Sequence, residues 1–257
     1  MEKIENLITQ LFEGNKIALS RLITYIEDYS QKAENIRKLV KAYASKYGKI
    51  KESYVIGITG PPGCGKSTLI DKLIKEYRKR DKSVGAILVD PSSYKTGGAM
   101  LGDRLRMQRH TLDRKVFIRS MATRGYYGGI ARATPYVIEL MNAYGMDRIL
   151  VETIGSGQAD TEIKKVADVT VVVFTPLSGD EIQFLKCGPM EIADIIVVNK
   201  ADLPGIDETV MEIEKYLEFE LDERKKLLPV IKTVAIRGEG VKELVDEIER
   251  LVKYKKR

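Results

Sequence analysis

The sequence predicts an α/β fold, a mostly parallel seven-stranded sheet covered by helices on both faces, with a helical arm ahead of it. Three observations carry that expectation. From Tyr54 onward, short β-rich apolar runs alternate with helix-patterned stretches, the pattern of parallel strands joined by crossover helices. Polar motifs stand where those runs end, as they should if ligands lie outside the carboxyl ends of the strands. The first run, Tyr54 to Thr59, leads directly into GPPGCGKST at Gly60 to Thr68, a phosphate loop between a strand and a helix. The fold class is therefore the three-layer P-loop NTPase fold.

Taken in order, the first fifty residues read as helices. Ile4, Leu7, Ile8, Leu11 and Phe12 recur at helical spacing, Gly14-Asn15 breaks the pattern, and Ile17, Leu22, Ile23 and Ile26 resume it. A third segment carries Ile36, Leu39, Val40, Tyr43 and Tyr47 and stops at Gly48. We expect residues 1–50 to form an arm and residues 51–257 the nucleotide domain. The arm either packs on that domain or binds a partner. The strands expected after it are Tyr54 to Thr59, Val84 to Asp90, Val116 to Met121, Arg148 to Thr153, Val169 to Thr175, Ile195 to Asn199 and Leu228 to Val234.

Composition narrows the function classes. With 257 residues, 44% hydrophobic and 31% charged, the chain reads as an ordinary globular protein. It has no apolar run of the roughly 18 residues that span a bilayer, and MEKIENLITQ is too charged for a signal peptide, so a cytoplasmic location is expected. Cys64, Cys187 and the single His110 are too few and too scattered for a disulfide framework or a structural zinc site. The net charge of +6 is interleaved with acids along helix-like stretches, which argues for a solvated surface rather than a nucleic-acid face.

The phosphate loop sets the chemistry. Gly60, Pro61, Pro62, Gly63, Cys64, Gly65 and Thr68 would wrap backbone N–H groups around the α- and β-phosphates. Lys66 would reach the β/γ oxygens and the Ser67 hydroxyl would hold Mg²⁺. Asp90 ends the second strand, where it can approach Mg²⁺ or its water, orient the attacking water, or simply open the turn before Pro91. The stretch Gly97 to Arg104 pairs glycines with Asp103, which either reorders around a γ-phosphate or serves local capping and pairing with Arg106. Arg119 and Arg124, beside the glycines of residues 125–129, either surround an anion or lie on the surface. Glu152 follows an apolar strand and precedes Gly155 by three residues, the arrangement of a metal-side acid and a γ-phosphate-sensing amide. Gly179 to Lys186 is either a mobile lid or a connecting helix.

Asn199-Lys200-Ala201-Asp202 implies guanine. A carboxylate at Asp202 can accept from both N1–H and the N2 amine of that base, and adenine offers neither in that arrangement. After the last strand, Ala235, Ile236 and Arg237 lead into Gly238-Glu239-Gly240, a place for backbone N–H groups to meet guanine O6. The expected ligands are thus GTP or GDP with Mg²⁺.

Together GPPGCGKST, VDPSS, GGAMLGDR, ETIGSGQ, GDEIQFLKCGPMEIADIIVVNKAD and RGEG resemble the MeaB/ArgK group of GTPases, relatives of the nickel chaperones UreG and HypB. The resemblance extends from about residue 10 to about residue 250 and includes EGNKIALSRLITYIED in the arm. It implies a Mg²⁺-dependent GTPase that assists a cobalamin-dependent methylmalonyl-CoA mutase in cofactor loading, protection or reactivation. It carries Lys66 and Ser67 over as phosphate and Mg²⁺ residues, Asp90, Asp103 and Glu152 as the acids around the metal, and Asn199 with Asp202 as guanine readers. It also raises a homodimer, although the extension through which members of the group pair does not follow Arg257 in this sequence. The ArgK name suggests an alternative, a kinase phosphorylating a periplasmic amino-acid-transport binding protein, but the sequence displays no acceptor site. A nickel-type metallochaperone would need clustered Cys and His. No residue is an obvious equivalent of the water-orienting glutamine of small GTPases, though Gln158 is close in sequence. Slow turnover alone and faster turnover with a partner that orders the glycine-containing loops are expected.

Overall fold

The computed structural model describes residues 2–28, 30–47, 53–90, 107–110, 112–155, 158–176, 189–219 and 228–255. Three helices, α1 (Glu2–Phe12), α2 (Lys16–Asp28) and α3 (Ser30–Tyr47), precede the sheet. The remainder runs β1 (Tyr54–Thr59), α4 (Lys66–Lys79), β2 (Val84–Asp90), β3 (Val116–Ala122), α5 (Thr134–Tyr144), β4 (Arg148–Glu152), β5 (Val169–Phe174), α6 (Pro189–Ile192), β6 (Ile195–Asn199), α7 (Ile206–Phe219), β7 (Val230–Thr233) and α8 (Val241–Lys255). Short 3-10 turns lie at Gln108–His110 and Gln158–Lys165.

The seven strands form one sheet in the order β3-β2-β4-β1-β5-β6-β7. Every pairing is parallel. The order reverses at β1, so the loop after β1 opens at the switch point where such sheets bind ligands. The last strand is shorter than the sequence suggested. Pro229 has no N–H to give to a ladder, although its carbonyl accepts from Ile196 N at 2.9 Å, and Val234 turns away to bridge Glu239.

Side chains alternate across the sheet as the period of a strand requires. Ile87 and Val89 of β2 enter one core with Val55, Met121, Ile149 and Val151, and this face is covered by α5 and the arm. Ala86 and Leu88 enter the other, with Ile56 and Ile58, under α4 and α8. Val172, Phe174, Ile196 and Val198 pack beneath α6 and α7 in a third cluster.

The arm packs on the sheet. Asn15 opens α2 by accepting the N–H groups of Ile17 and Ala18 at 2.9 and 3.2 Å with Oδ1. That helix then buries Ala18, Leu19, Leu22, Ile23 and Ile26, the i, i+3, i+4 stripe of an amphipathic helix. At about 1.5–3 kcal/mol for each large aliphatic side chain buried, this face makes the arm part of the core. Polar fasteners add direction. Lys16 Nζ donates to Asp113 O and Val116 O at 2.8 and 2.7 Å, and burial pushes its pKa down. Arg37 Nε meets both carboxylate oxygens of Glu139 at 2.9 Å. Among the described residues no helix is long and apolar enough to cross a membrane.

Candidate functional site

The loop between β1 and α4 closes on itself through Lys66. Its Nζ donates to Gly60 O at 2.8 Å and Pro61 O at 3.1 Å, and the side chain is buried. Gly65 precedes α4 with φ +95°, a left-handed conformation that disfavours any side chain, and a Cβ there would collide with Asn199 Nδ2. The start of α4 therefore presents its backbone N–H groups at the end of β1, the geometry of an anion site.

Two acids end strands on this side of the sheet. Asp90 ends β2 and Glu152 ends β4, neighbouring strands whose register pairs Leu88 with Glu152, and both are buried. Ser67 Oγ donates to Glu152 Oε1 at 2.8 Å. Three residues further on, Gly155 has φ +85°, and a Cβ there would lie 2.5 Å from Lys66 Nζ and 2.6 Å from Gly60 O. The structure thus brings Lys66, Ser67, Glu152 and Gly155 together where the paired strands β1 and β4 end. Asp103 and the stretches 97–104 and 179–186 lie outside the described residues, as do Cys187 and the side chain of Gln158.

One residue of this neighbourhood escaped the sequence reading. Asp160 is fully buried, and its Oδ2 accepts from Thr153 Oγ1 at 2.6 Å, Thr59 Oγ1 at 3.0 Å and the Gly155 N–H at 3.0 Å. A lone aspartate in a charged stretch carries no motif. Its position five residues after Gly155 was the available signal.

The end expected to take the base is assembled around Asn199. Its Nδ2 donates to Cys64 O at 2.9 Å, and its Oδ1 accepts from Thr233 Oγ1 and the Ala235 N–H at 3.0 Å. Asn199 thereby joins the phosphate loop, β7 and the segment after it, so its amide works on the protein's own frame as well as facing the site. A cavity of about 290 Å³ adjoins it, lined by Gly65, Thr68, Lys200, Asp202, Ala235 and Ile236, among others. Lys200 adopts φ +57° and turns the chain so that Asp202 reaches the cavity. Of the three amides expected to meet the base, the Ala235 N–H is bonded to Asn199 and the Arg237 N–H to Val234 O at 2.9 Å. Ile236 stands at the rim with its side chain 75% exposed.

Two arginines lie elsewhere. Arg119 pairs with Glu27 of α2, and Arg124 donates to Glu27 O at 2.6 Å and Asp28 Oδ1 at 3.0 Å. Both tie the arm to β3 and the turn after it, so the anion-binding reading gives way to a fastening one. His110 is packed, with Nε2 2.9 Å from Asp71 Oδ1.

The sequence model described as "Methylmalonyl Co-A mutase-associated GTPase MeaB" matches residues 19–257. The chain belongs to the MeaB family of GTPases. A relative from Pyrococcus abyssi (strain GE5 / Orsay), named as a GTPase, is 51% identical over 250 residues, which is 96% of this chain and 75% of that protein. The Mus musculus protein named methylmalonic aciduria type A homolog, mitochondrial, is 31% identical over 255 residues, 95% of this chain and 61% of its own length. The solved structure of an LAO/AO transport system kinase superposes on this MeaB-family chain with a TM-score of 0.75 at 23% identity, covering 98% of this chain and 75% of that one. At that identity the likeness is one of fold. It agrees with the parallel, P-loop architecture described above.

Proposed function

We propose that this MeaB-family GTPase hydrolyses GTP to GDP and phosphate in a Mg²⁺-dependent reaction, and that its nucleotide state gates assistance to a cobalamin-dependent methylmalonyl-CoA mutase. The observation that carries the nucleotide reading is the Asn199 bridge, which binds the phosphate loop and the base cavity into one continuous surface. The mutase reading rests on the family description. Residues 1–50 then form the arm and residues 51–257 the nucleotide domain.

In this reading the phosphates lie along Gly60 to Thr68, with the Lys66 ammonium already held over the loop. Asp202 accepts the N1–H and N2 donors of guanine, the stem of Lys200 flanks the base, and Ile236 offers an amide at the rim. The donor set fits Mg²⁺. It takes hard oxygen ligands, few of them from protein, and a Ser67 hydroxyl whose proton is directed at Glu152 keeps its lone pairs for a cation. Ser67 would hold the ion, with Asp90, Asp103 and Glu152 around it. When bound, Mg²⁺ neutralises charge developing on the β/γ oxygens. The protein's own share is positioning and charge: Lys66 steadies the phosphate oxygens, Glu152 orients the Ser67 hydroxyl, and the Gly155 amide meets the terminal phosphate. No covalent intermediate is involved.

The test mixes the purified chain with the mutase of the same organism. Phosphate release and cofactor loading are followed with GTP, GDP and a non-hydrolysable analogue. Release should depend on Mg²⁺ and rise with the mutase, and loading should follow nucleotide state. Hydrolysis indifferent to the mutase, with loading indifferent to nucleotide, would remove the chaperone role and leave the GTPase. Equal calorimetric affinities for ADP and GDP would remove the guanine reading itself.

A further inference from the structure

The fully buried Asp160 directs one carboxylate oxygen at three donors from three places: Thr59, the last residue of β1 before the phosphate loop, Thr153, next to Glu152, and the Gly155 N–H. The two hydroxyls carry one proton each. With Thr153 donating to Asp160 at 2.6 Å, Thr59 is left to donate either to the carboxylate or to Thr153 Oγ1, 2.9 Å away. The Gly155 N–H also has a single proton, and here it points at Asp160 although the residue lies against Lys66 Nζ and Gly60 O. A phosphate oxygen beside Lys66 and the Asp160 carboxylate are both anionic acceptors, each able to take a charge-assisted hydrogen bond. They cannot both hold this donor at full strength, and because the acceptors are alike in kind the exchange is finely balanced.

Asp160 also bears on the loop that follows β3. A Cβ on Gly129 would come within 2.7 Å of Asp160 Cα, and Ile154 N donates to Gly129 O at 3.1 Å. That loop carries Tyr127, 90% exposed, and Arg124, which reaches the arm. A shift of Asp160 therefore reaches an exposed surface of the molecule through packed backbone.

We propose that Asp160 is a positioning residue that competes with the terminal phosphate of GTP for the Gly155 N–H. With GDP, Asp160 keeps the amide. With GTP, the phosphate takes it, and the 158–165 segment loosens against Gly129. The proposal rests on the GTPase reading above and adds to it the residue that sets the preference between di- and triphosphate.

The experiment compares GDP and a non-hydrolysable GTP analogue by calorimetry in the unaltered chain and in Asp160→Asn. The neutral amide is the weaker acceptor, so the affinity ratio should move toward the triphosphate by about three- to ten-fold, with GDP affinity little changed. A residue that only supports the fold would weaken both nucleotides together and leave the ratio alone, and that result, or a shift toward GDP, overturns the proposal. Hydrogen exchange of the unaltered chain supplies the second measurement, decisive even if the variant does not fold. Peptides covering 158–165 should exchange faster with the analogue than with GDP, and equal exchange overturns the proposal. Binding of neither guanine nucleotide would overturn the underlying reading as well, whereas binding of both with an unmoved ratio overturns the role of Asp160 alone.

Discussion

Arg237 Nη1 donates to Asp202 Oδ2 at 3.2 Å, placing a guanidinium on the carboxylate at the mouth of the cavity proposed to take the base. A guanidinium edge offers adjacent N–H donors much as guanine offers N1–H and its N2 amine. Arg237 is also held by Glu239 at 2.7 Å, and its side chain is half exposed. It can therefore swing aside without leaving a buried charge behind.

Asp202→Asn should lower GDP affinity by about 10²-fold or more and raise affinity for xanthine nucleotides, because the amide can donate to the additional carbonyl. Arg237→Ala should instead raise GDP affinity slightly, since it removes only an exposed competitor. Calorimetry with GDP, XDP and ADP reads both effects. Loss of GDP affinity in Arg237→Ala would make the arginine a direct base contact.

Arg148 of β4 forks onto Glu249 of α8, with Nε and Nη2 at 2.7 and 2.6 Å from its two oxygens and the guanidinium 4.5 Å from the centre of the Tyr54 ring. Burial works against the Arg148 charge and is the largest single influence on it, but the hydrogen bond and negative charge of Glu249, with the charges of Tyr77 and Asp147, together outweigh it and raise the pKa. Glu249→Ala should cost about 3–5 kcal/mol in chemical denaturation, because it strands a buried cation. The double variant Arg148→Met, Glu249→Leu should recover most of that loss. If both lose equally, packing rather than the unpaired charge is the cause.

Asp194 predicts an acid limb. Its carboxylate accepts from Lys255 Nζ at 2.7 Å, Lys164 Nζ at 2.9 Å and the Thr170 N–H at 2.8 Å, which ties α8, the turn at 158–165 and β5 to the start of β6. Burial raises its pKa, yet the bonds to Lys255 and Lys164 prevail and hold it below the ordinary 3.8. A carboxylate depressed in the folded state contributes stability that is fully present above the unfolded value and is lost as pH falls through the folded one. Melting temperature should therefore drop on acidification below about pH 5, and Asp194→Asn should be less stable at neutral pH with a shallower acid limb. An unchanged limb in the variant would assign it to other carboxylates.

The strand ends and both motifs were legible because each depends on local chemistry. Gly65 is required by a left-handed turn, and an apolar run before a polar cluster marks where a buried strand surfaces. Arg119 and Arg124 were open in the sequence because their partners, Glu27 and Asp28, lie in the arm more than ninety residues away, and ion pairs across such a separation leave no spacing to read. The same holds for the Asn199 amide. Its type belongs to a motif, but its bonds to Cys64 and Ala235 depend on strand order, with β6 set between β5 and β7. Asp160 was hidden for a further reason: its bonds to Thr59 and Thr153 form only once its turn has folded against the ends of β1 and β4.

Glu152 separates orientation from binding. It touches Ser67 Oγ at 2.8 Å at the end of β4 and lies on the side of the loop where Gly155 approaches Lys66. If Ser67 holds Mg²⁺ as proposed and Glu152 orients its hydroxyl, Glu152→Ala should lower kcat by about 10- to 100-fold, the loss common when the partner of a metal ligand is removed. GDP affinity should change much less, because the base cavity and the Lys66 clamp remain. Glu152→Gln keeps an acceptor for Ser67 while removing the charge, so the two variants divide the effect. Equal losses would make the negative charge the active element, and a milder loss in Glu152→Gln would give that role to the hydrogen bond. Steady-state phosphate release over a Mg²⁺ titration, paired with GDP calorimetry, measures both quantities. Turnover unchanged in Glu152→Ala would reduce the residue to a support for β4.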